Sequence, residues 1–473
     1  VRHGAGSGVR GEAVRLAGRW RGAGLAVAGI AIVAILMTAF IVMDYTFDQD
    51  PHRVIKVGLG VLAIGVIMSR PRFGLLLLPV ITPFLPWVPP TPVPGLNALN
   101  VLLFAIFGTY ALGAVLSRRP IVRPGRLGGA IGILLGLAAL SIIRGAVAPT
   151  GYGYEAYAAT LGLFRSAMSF ALYFILMAMV RGERDRRHIG WAVLVGLLLE
   201  AVVTMMLGRS GSGGRAVGSI GQSNELGGYL AVFSVIAAAI AVGARSWQAK
   251  LAAAGIFVAG SIGIMYSLSR GGMLALLGGL VVVAWRSSRW ALGVLLLVLA
   301  LSPFWLPDYV VERINSSKVE SETGDEAQVD AASEARLLTW RAILEVVKHH
   351  PVDGVGFEGL GYVLPDVGAA MGLADVKDSA HNTYLRMLAE LGVFGLLAFL
   401  WLMWSVWRLA DDAVRGARNR FDRSLAVGLC GATVAMAVSC AFGDRFWSPV
   451  VVSSFWVMCA IVEDSLTPSA EAA

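Results

Sequence analysis

Long apolar runs, each broken by a short polar connection, recur along nearly the whole chain. They fall at 22–43, 54–69, 73–88, 97–117, 127–143, 161–180, 189–207, 225–244, 249–267, 271–285, 290–306, 391–407, 425–442 and 447–462. Most reach the length of about twenty residues that crosses roughly 30 Å of hydrocarbon at about 1.5 Å per residue. The runs show neither the strict alternation of strands nor a heptad seam. A buried helix of a soluble domain explains one such run but not a dozen. The pattern predicts an all-α polytopic membrane protein with about 14 transmembrane helices (12–14). The runs at 54–69, 73–88 and 271–285 are short, and one pair of them also fits a re-entrant hairpin. Pro83 and Pro86 predict that the third run is a broken helix, tolerated where protein rather than lipid covers the freed carbonyls.

The polar interruptions carry a second signal. With the N-terminus cytoplasmic, the inner connections hold 24 basic residues, counting five arginines within 1–21, whereas the short outer ones hold six. That asymmetry predicts both termini on the cytoplasmic side. The organisation that follows is a basic segment 1–21, a bundle of about 11 spans over 22–306, an extracytoplasmic loop 307–390, three spans over 391–462 and a tail 463–473. The apolar run after residue 21 is too long for a signal-peptide core, so it reads as a retained first helix. Composition agrees: 57% of residues are hydrophobic and 15% charged, against about 25% charge in a soluble domain. The net charge of +8 does not point to nucleic acid, because Asp308–Asp378 is itself net −8 and the surplus lies in short loops. Cys430, Cys440 and Cys459 have neither metal spacing nor a disulfide framework and read as packing residues.

The 307–390 insertion is long for a simple connection. Its first part is polar and acidic. From Glu334 the spacing predicts an amphipathic helix with Leu337, Trp340, Leu344 and Val347 on one face, ended by Pro351, and with Arg336 on the same side as Trp340. The glycine-rich Pro351–Gly361 stretch predicts a tight turn with close backbone approach, not a phosphate-binding fingerprint. Ser379 is placed to cap a further helix whose first turn holds His381 and Asn382. A helix N-terminus disfavours imidazolium, which suits a general base; a hydrogen-bonded structural histidine is the equal alternative.

Several charged residues at span ends need a reason. Arg270 follows Ser267-Leu268-Ser269, Arg215 opens a glycine-rich loop leading to Asn224, and Asp444-Arg445 lies between the last two spans. Arg165 sits inside the 161–180 run, where charge usually faces a bundle interior. Arg215, Arg270, Arg336, His381 and Asp444 all fall on one predicted side of the membrane. Arginines converging beside an apolar bundle suit a lipid-linked diphosphate, whose oxygens the guanidinium fork holds bidentately. No acidic cluster or HExxH points to a metal, and no cofactor is expected.

Arg215-Ala-Val-Gly-Ser-Ile-Gly-Gln-Ser-Asn224, Ser267-Leu-Ser-Arg270-Gly-Gly, Arg336-Leu-Leu-Thr-Trp340 and His381-Asn-Thr-Tyr-Leu with Gly392 eleven positions on together resemble the O-antigen ligase and polymerase superfamily. The resemblance, concentrated in about 210–400, implies a GT-C-like glycosyltransferase in the cytoplasmic (inner) membrane, with its active site on the outer face. It implies a donor glycan on undecaprenyl diphosphate, a glycan or glycolipid acceptor, membrane lipids and envelope-assembly proteins as partners, and inverting, metal-independent chemistry. Carried over by position, His381 is the base and Arg336 and Arg215 the main diphosphate ligands. Arg270, Arg165, Asn224, Trp340, Asn382, Tyr384, Asp444 and Arg445 are the further substrate-binding candidates. Trp340 stands where the ligases carry leucine, which leaves a polymerase open beside a ligase. A transporter of lipid-linked glycan is the reading from a different class.

Overall fold

An apolar run in a membrane must satisfy its backbone amides internally, and this chain does so as helix. The computed structural model describes residues 69–88, 98–118, 123–147, 153–315, 331–373 and 378–467, with Gly65, Ile121 and Val376. The segment 1–21, the run 22–43 and nearly all of 54–69 lie outside the described residues. In chain order the helices are α1 (Pro71–Ile81), α2 (Ala98–Leu116), α3 (Gly128–Val147), α4 (Ala156–Met179), α5 (Gly182–Leu207), α6 (Ser223–Gly243), α7 (Trp247–Ser267) and α8 (Arg270–Ser287). They continue with α9 (Arg289–Ala300), α10 (Asp308–Asn315), α11 (Ala331–His349), α12 (Leu360–Ala370), α13 (Thr383–Gly416), α14 (Arg420–Cys440) and α15 (Pro449–Asp464). Among the described residues there is no β-strand.

Eight of these helices, α2 to α7 with α13 and α14, are long and apolar enough to cross a membrane. The chain is therefore a polytopic all-α membrane protein, but the described residues do not carry the expected fourteen spans. Two departures have visible causes. The run 73–88 leaves α-geometry at Thr82 and continues as a 3-10 turn through Pro83 and Pro86 to Trp87, as proline in that position requires. The run 290–306 yields only the 12-residue α9 before a four-residue helix at Ser302–Trp305, about 18 Å of rise.

Helix α6 lies at the centre, with Leu226 to Ile240 buried throughout, packed by α7, α8 and α14. Small residues permit the approach: a Cβ on Gly272 would come within 2.8 Å of the Gly227 backbone, and one on Gly431 within 2.8 Å of the Gly279 carbonyl. One end of the bundle is tied by ion pairs. Arg186 forks onto Asp422, with Nη2–Oδ2 at 2.7 Å and Nε–Oδ1 at 3.0 Å, and reaches Asp464 at 2.8 Å. Arg286 pairs with Asp411, and Arg126 with Asp412. All three arginines belong to the set that the charge bias put on one side.

At the opposite end α13 is bent at Gly392, which has φ +70° and ψ −171°. The bend frees carbonyls that the glycine-rich turn then uses. Val355 and Gly356 donate their amides to Ala389 O and Glu390 O at 2.9 and 3.0 Å, and Val393 donates to Pro351 O at 2.9 Å. A Cβ on Gly392 would overlap the Val352 carbonyl. Gly392→Ala is thus expected to cost about 2–4 kcal/mol, from left-handed strain plus the lost junction. Thermal unfolding in detergent measures this, and an unchanged midpoint would refute the account of the bend.

Candidate active site

Five short pieces of chain meet at the bent end. The first is the loop after α5. Gly211 N–H donates to Arg215 O at 2.8 Å and Ala216 N–H to Tyr266 O at 2.9 Å, so the loop lies flat against the end of α7. Arg215 donates from Nε to Ser267 O at 3.0 Å and from Nη2 to Asn224 Oδ1 at 2.7 Å. The second piece is the turn joining α7 to α8. Leu268 takes φ +50°, and Ser269 caps α8 by accepting the Gly272 N–H at 3.2 Å; Arg270 is then the first residue of α8. The third piece, α10, brings Arg313 on the same side as the buried Val310, while Glu312 stays exposed. Arg209 fastens this helix to the loop, because its guanidinium covers the Tyr309 ring at 4.7 Å and its Nε donates to Gly214 O at 2.5 Å.

The fourth piece is α11. It presents Arg336, Leu337 and Trp340, and it is fixed by the Trp340 indole N–H, which donates to Ala380 O at 2.9 Å. The fifth is the 378–382 segment that this bond holds. Asn382, not Ser379, caps α13, accepting from the amides of Tyr384 at 3.0 Å and Leu385 at 3.2 Å. His381 therefore precedes the helix rather than belonging to its first turn, with φ +46°. Ser379 is engaged elsewhere: its hydroxyl donates to Asp444 Oδ2 at 2.7 Å.

The first four of these pieces line a cavity of about 330 Å³ whose charged lining is Arg215, Arg270, Arg313 and Arg336, with Asn224, Trp340 and Phe442 among the others; His381, Asp444 and Arg445 stand outside that lining. The electrostatics follow from that crowding. Burial, and then the charges of Arg313, Arg336 and Arg270, push the Arg215 guanidinium down to about 10, so it remains cationic at neutral pH. Burial and the neighbouring Arg336 hold His381 below its usual value, against the opposing pull of Asp444. The result is a neutral imidazole beside a concentrated positive field. Arg445 is buried and does not line the cavity, with Nη1 donating to Gln222 Oε1 at 3.4 Å. Burial lowers its pKa, opposed by Glu225 and Asp444.

Not every residue singled out in the sequence reaches this place. Arg165 is exposed on α4, where its charge acts on the Glu358 carboxylate rather than on the cavity. The Tyr384 hydroxyl donates to Ala437 O at 2.8 Å and so ties α13 to α14. Asn382 spends its carbonyl on the helix cap. Conversely, Arg313 was not singled out in the sequence. Its signal was available, since it follows Tyr309 and Val310 by four and three positions, on the inward side of a short amphipathic helix.

With that geometry in place, the comparisons become informative. Residues 255–400 match the family model described as O-antigen ligase, which supports assignment to the O-antigen ligase/polymerase superfamily of glycosyltransferase-like enzymes. The matched stretch contains Arg270, Arg336, His381 and Gly392, while Arg215 and Asp444 lie outside it. No curated protein matches the chain.

Proposed function

We propose, from the premise that residues 255–400 carry an O-antigen ligase domain, that this integral membrane protein is an O-antigen ligase-like glycosyltransferase. It moves a glycan from undecaprenyl diphosphate to an acceptor sugar or envelope glycolipid at the outer face of the cytoplasmic membrane. The observation that carries this reading is the cavity walled by four arginines, with His381 next to Ala380, which the cavity-lining Trp340 holds.

In this mechanism Arg215, Arg270, Arg313 and Arg336 grip the donor diphosphate, which spreads its negative charge over more oxygens as it departs. His381 accepts the proton of the acceptor hydroxyl, whose oxygen attacks the anomeric carbon from the face opposite the diphosphate. The new C–O bond forms as the bond to the diphosphate oxygen breaks, inverting the anomeric configuration. The imidazolium then releases its proton to solvent. Asp444, held by Ser379, supplies the negative field that makes proton uptake by His381 easier.

Reconstitution into liposomes with an undecaprenyl diphosphate-linked oligosaccharide and a panel of acceptors tests the proposal, with products sized by gel and mass spectrometry. A single transfer onto a distinct acceptor is expected. A ladder of lengthening lipid-linked chains would assign a polymerase, and no covalent product over a broad panel would replace catalysis by transport.

A further inference from the structure

We propose that Glu200, buried in α5 away from the cavity, is a positioning residue that sets the Arg215 loop for diphosphate binding. The inference rests on the reading of that cavity as the diphosphate site. A carboxyl group inside an apolar helix is costly unless its oxygens are hydrogen-bonded, and such residues usually have a task. Glu200 is 0% exposed. Its partners lie almost entirely on the loop that carries Arg215. The Ser219 amide donates to Oε1 at 3.0 Å, and the Ser219 hydroxyl makes a short hydrogen bond with Oε2. Thr204, one turn along α5, adds a long contact of 3.5 Å to Oε1.

The loop is shaped to receive that carboxyl group. Gly218 takes φ +56°, and a Cβ there would overlap Glu200 Oε1. Ser219 is also hydrogen-bonded with Pro83 O at 2.9 Å, in the 3-10 turn that interrupts the helix before it. The loop is thereby gripped at both ends. Arg215 and Ala216 are tied to Ser267 and Tyr266 of α7, and Ser219 is tied to Glu200. Releasing the second grip frees the stretch between Arg215 and Ser223, at whose end Asn224 orients the guanidinium.

Ser219 has one hydroxyl proton and two acceptors, Pro83 O and Glu200 Oε2. A group at position 200 that both accepts the Ser219 amide and donates to its hydroxyl satisfies all three atoms, and a glutamine amide does this as well as a carboxyl group.

The experiment measures geranylgeranyl diphosphate binding to the purified full chain in detergent, alongside amide exchange at 216–222 without ligand. Glu200→Ala is expected to weaken binding about tenfold, the effect of losing buried hydrogen bonds, and to raise exchange at Ser219. Glu200→Gln should leave both within about twofold. Glu200→Ala combined with Arg215→Ala should bind no worse than Arg215→Ala alone, because both act through one guanidinium. A merely structural Glu200 would instead give losses that multiply. Multiplying losses, or wild-type binding with protected Ser219 in Glu200→Ala, overturn the proposal. If Glu200→Ala fails to fold, Ser219→Ala takes its place, with weaker binding expected and an unchanged value refuting. Should the wild type not bind the probe while exchange still rises in Glu200→Ala, the diphosphate reading falls and the loop positioning stands.

Discussion

Replacing His381 by asparagine is expected to lower glycan transfer about a thousandfold, the usual worth of a positioned general base, with affinity for a prenyl diphosphate nearly unchanged. Asparagine is the informative substitute because His381 sits at φ +46°, a conformation that asparagine tolerates better than alanine. The loss then reports the missing base rather than a distorted turn. The pH profile adds a signed check. Burial and Arg336 hold the imidazole below its usual value of about 6.5, so the basic form persists below that pH. The acid limb of kcat/KM should lie under pH 6.5. Asp444→Asn removes a charge that favours imidazolium and should move the limb lower still. Wild-type turnover in His381→Asn would end the base assignment even with the family assignment intact.

The elements legible in the sequence are those that hydrophobicity alone decides. The runs 97–117, 225–244 and 249–267 return almost unchanged as α2, α6 and α7. Boundaries move where a distant partner intervenes. Helix α5 begins at Gly182, well before the run at 189, because Arg186 is neutralised by Asp422 and Asp464, more than two hundred residues away. At the site, the sequence places the cap at Ser379, three residues before the position that caps the helix, and Asn382 in the first turn. The choice fell to Asn382 once Ser379 was drawn to Asp444, which no local pattern records. Of the predicted α11 face, Trp340 and Val347 pack against the neighbouring helices, whereas Leu337 and Leu344 stay 45% and 47% exposed. The fully buried positions are Thr339, Ala342, Ile343 and Val346, because α11 is pressed between α12 and α13. Arginine convergence was legible in outline because loops on one side of a membrane have few places to go. That Arg313 joins the group, and that Arg165 lies apart beside Glu358, depends on how helices are rotated about their axes.

Arg336→Lys is expected to reduce turnover about a hundredfold, near the cost of removing one donor from a transition-state charge site, although the charge is kept. Arg336 occupies a firmly held position. Its helix is pinned by the Trp340–Ala380 hydrogen bond and by the buried Ala342 and Ile343, none of which involves the guanidinium. The substitution should therefore keep those anchors and the positive charge while changing the shape of the cation. Two consequences separate here, because Arg336 both lines the cavity and depresses the His381 pKa. A lysine ammonium still repels imidazolium, so in Arg336→Lys the acid limb of the pH profile should stay in place while the plateau falls. Arg336→Ala removes the repulsion as well, and its limb should rise toward the ordinary histidine value as its plateau falls further. If lysine restores the rate, point charge suffices and bidentate recognition of the diphosphate at this position is wrong. A limb that stays put in Arg336→Ala would instead mean that the arginine and His381 are not close enough to share one reacting centre.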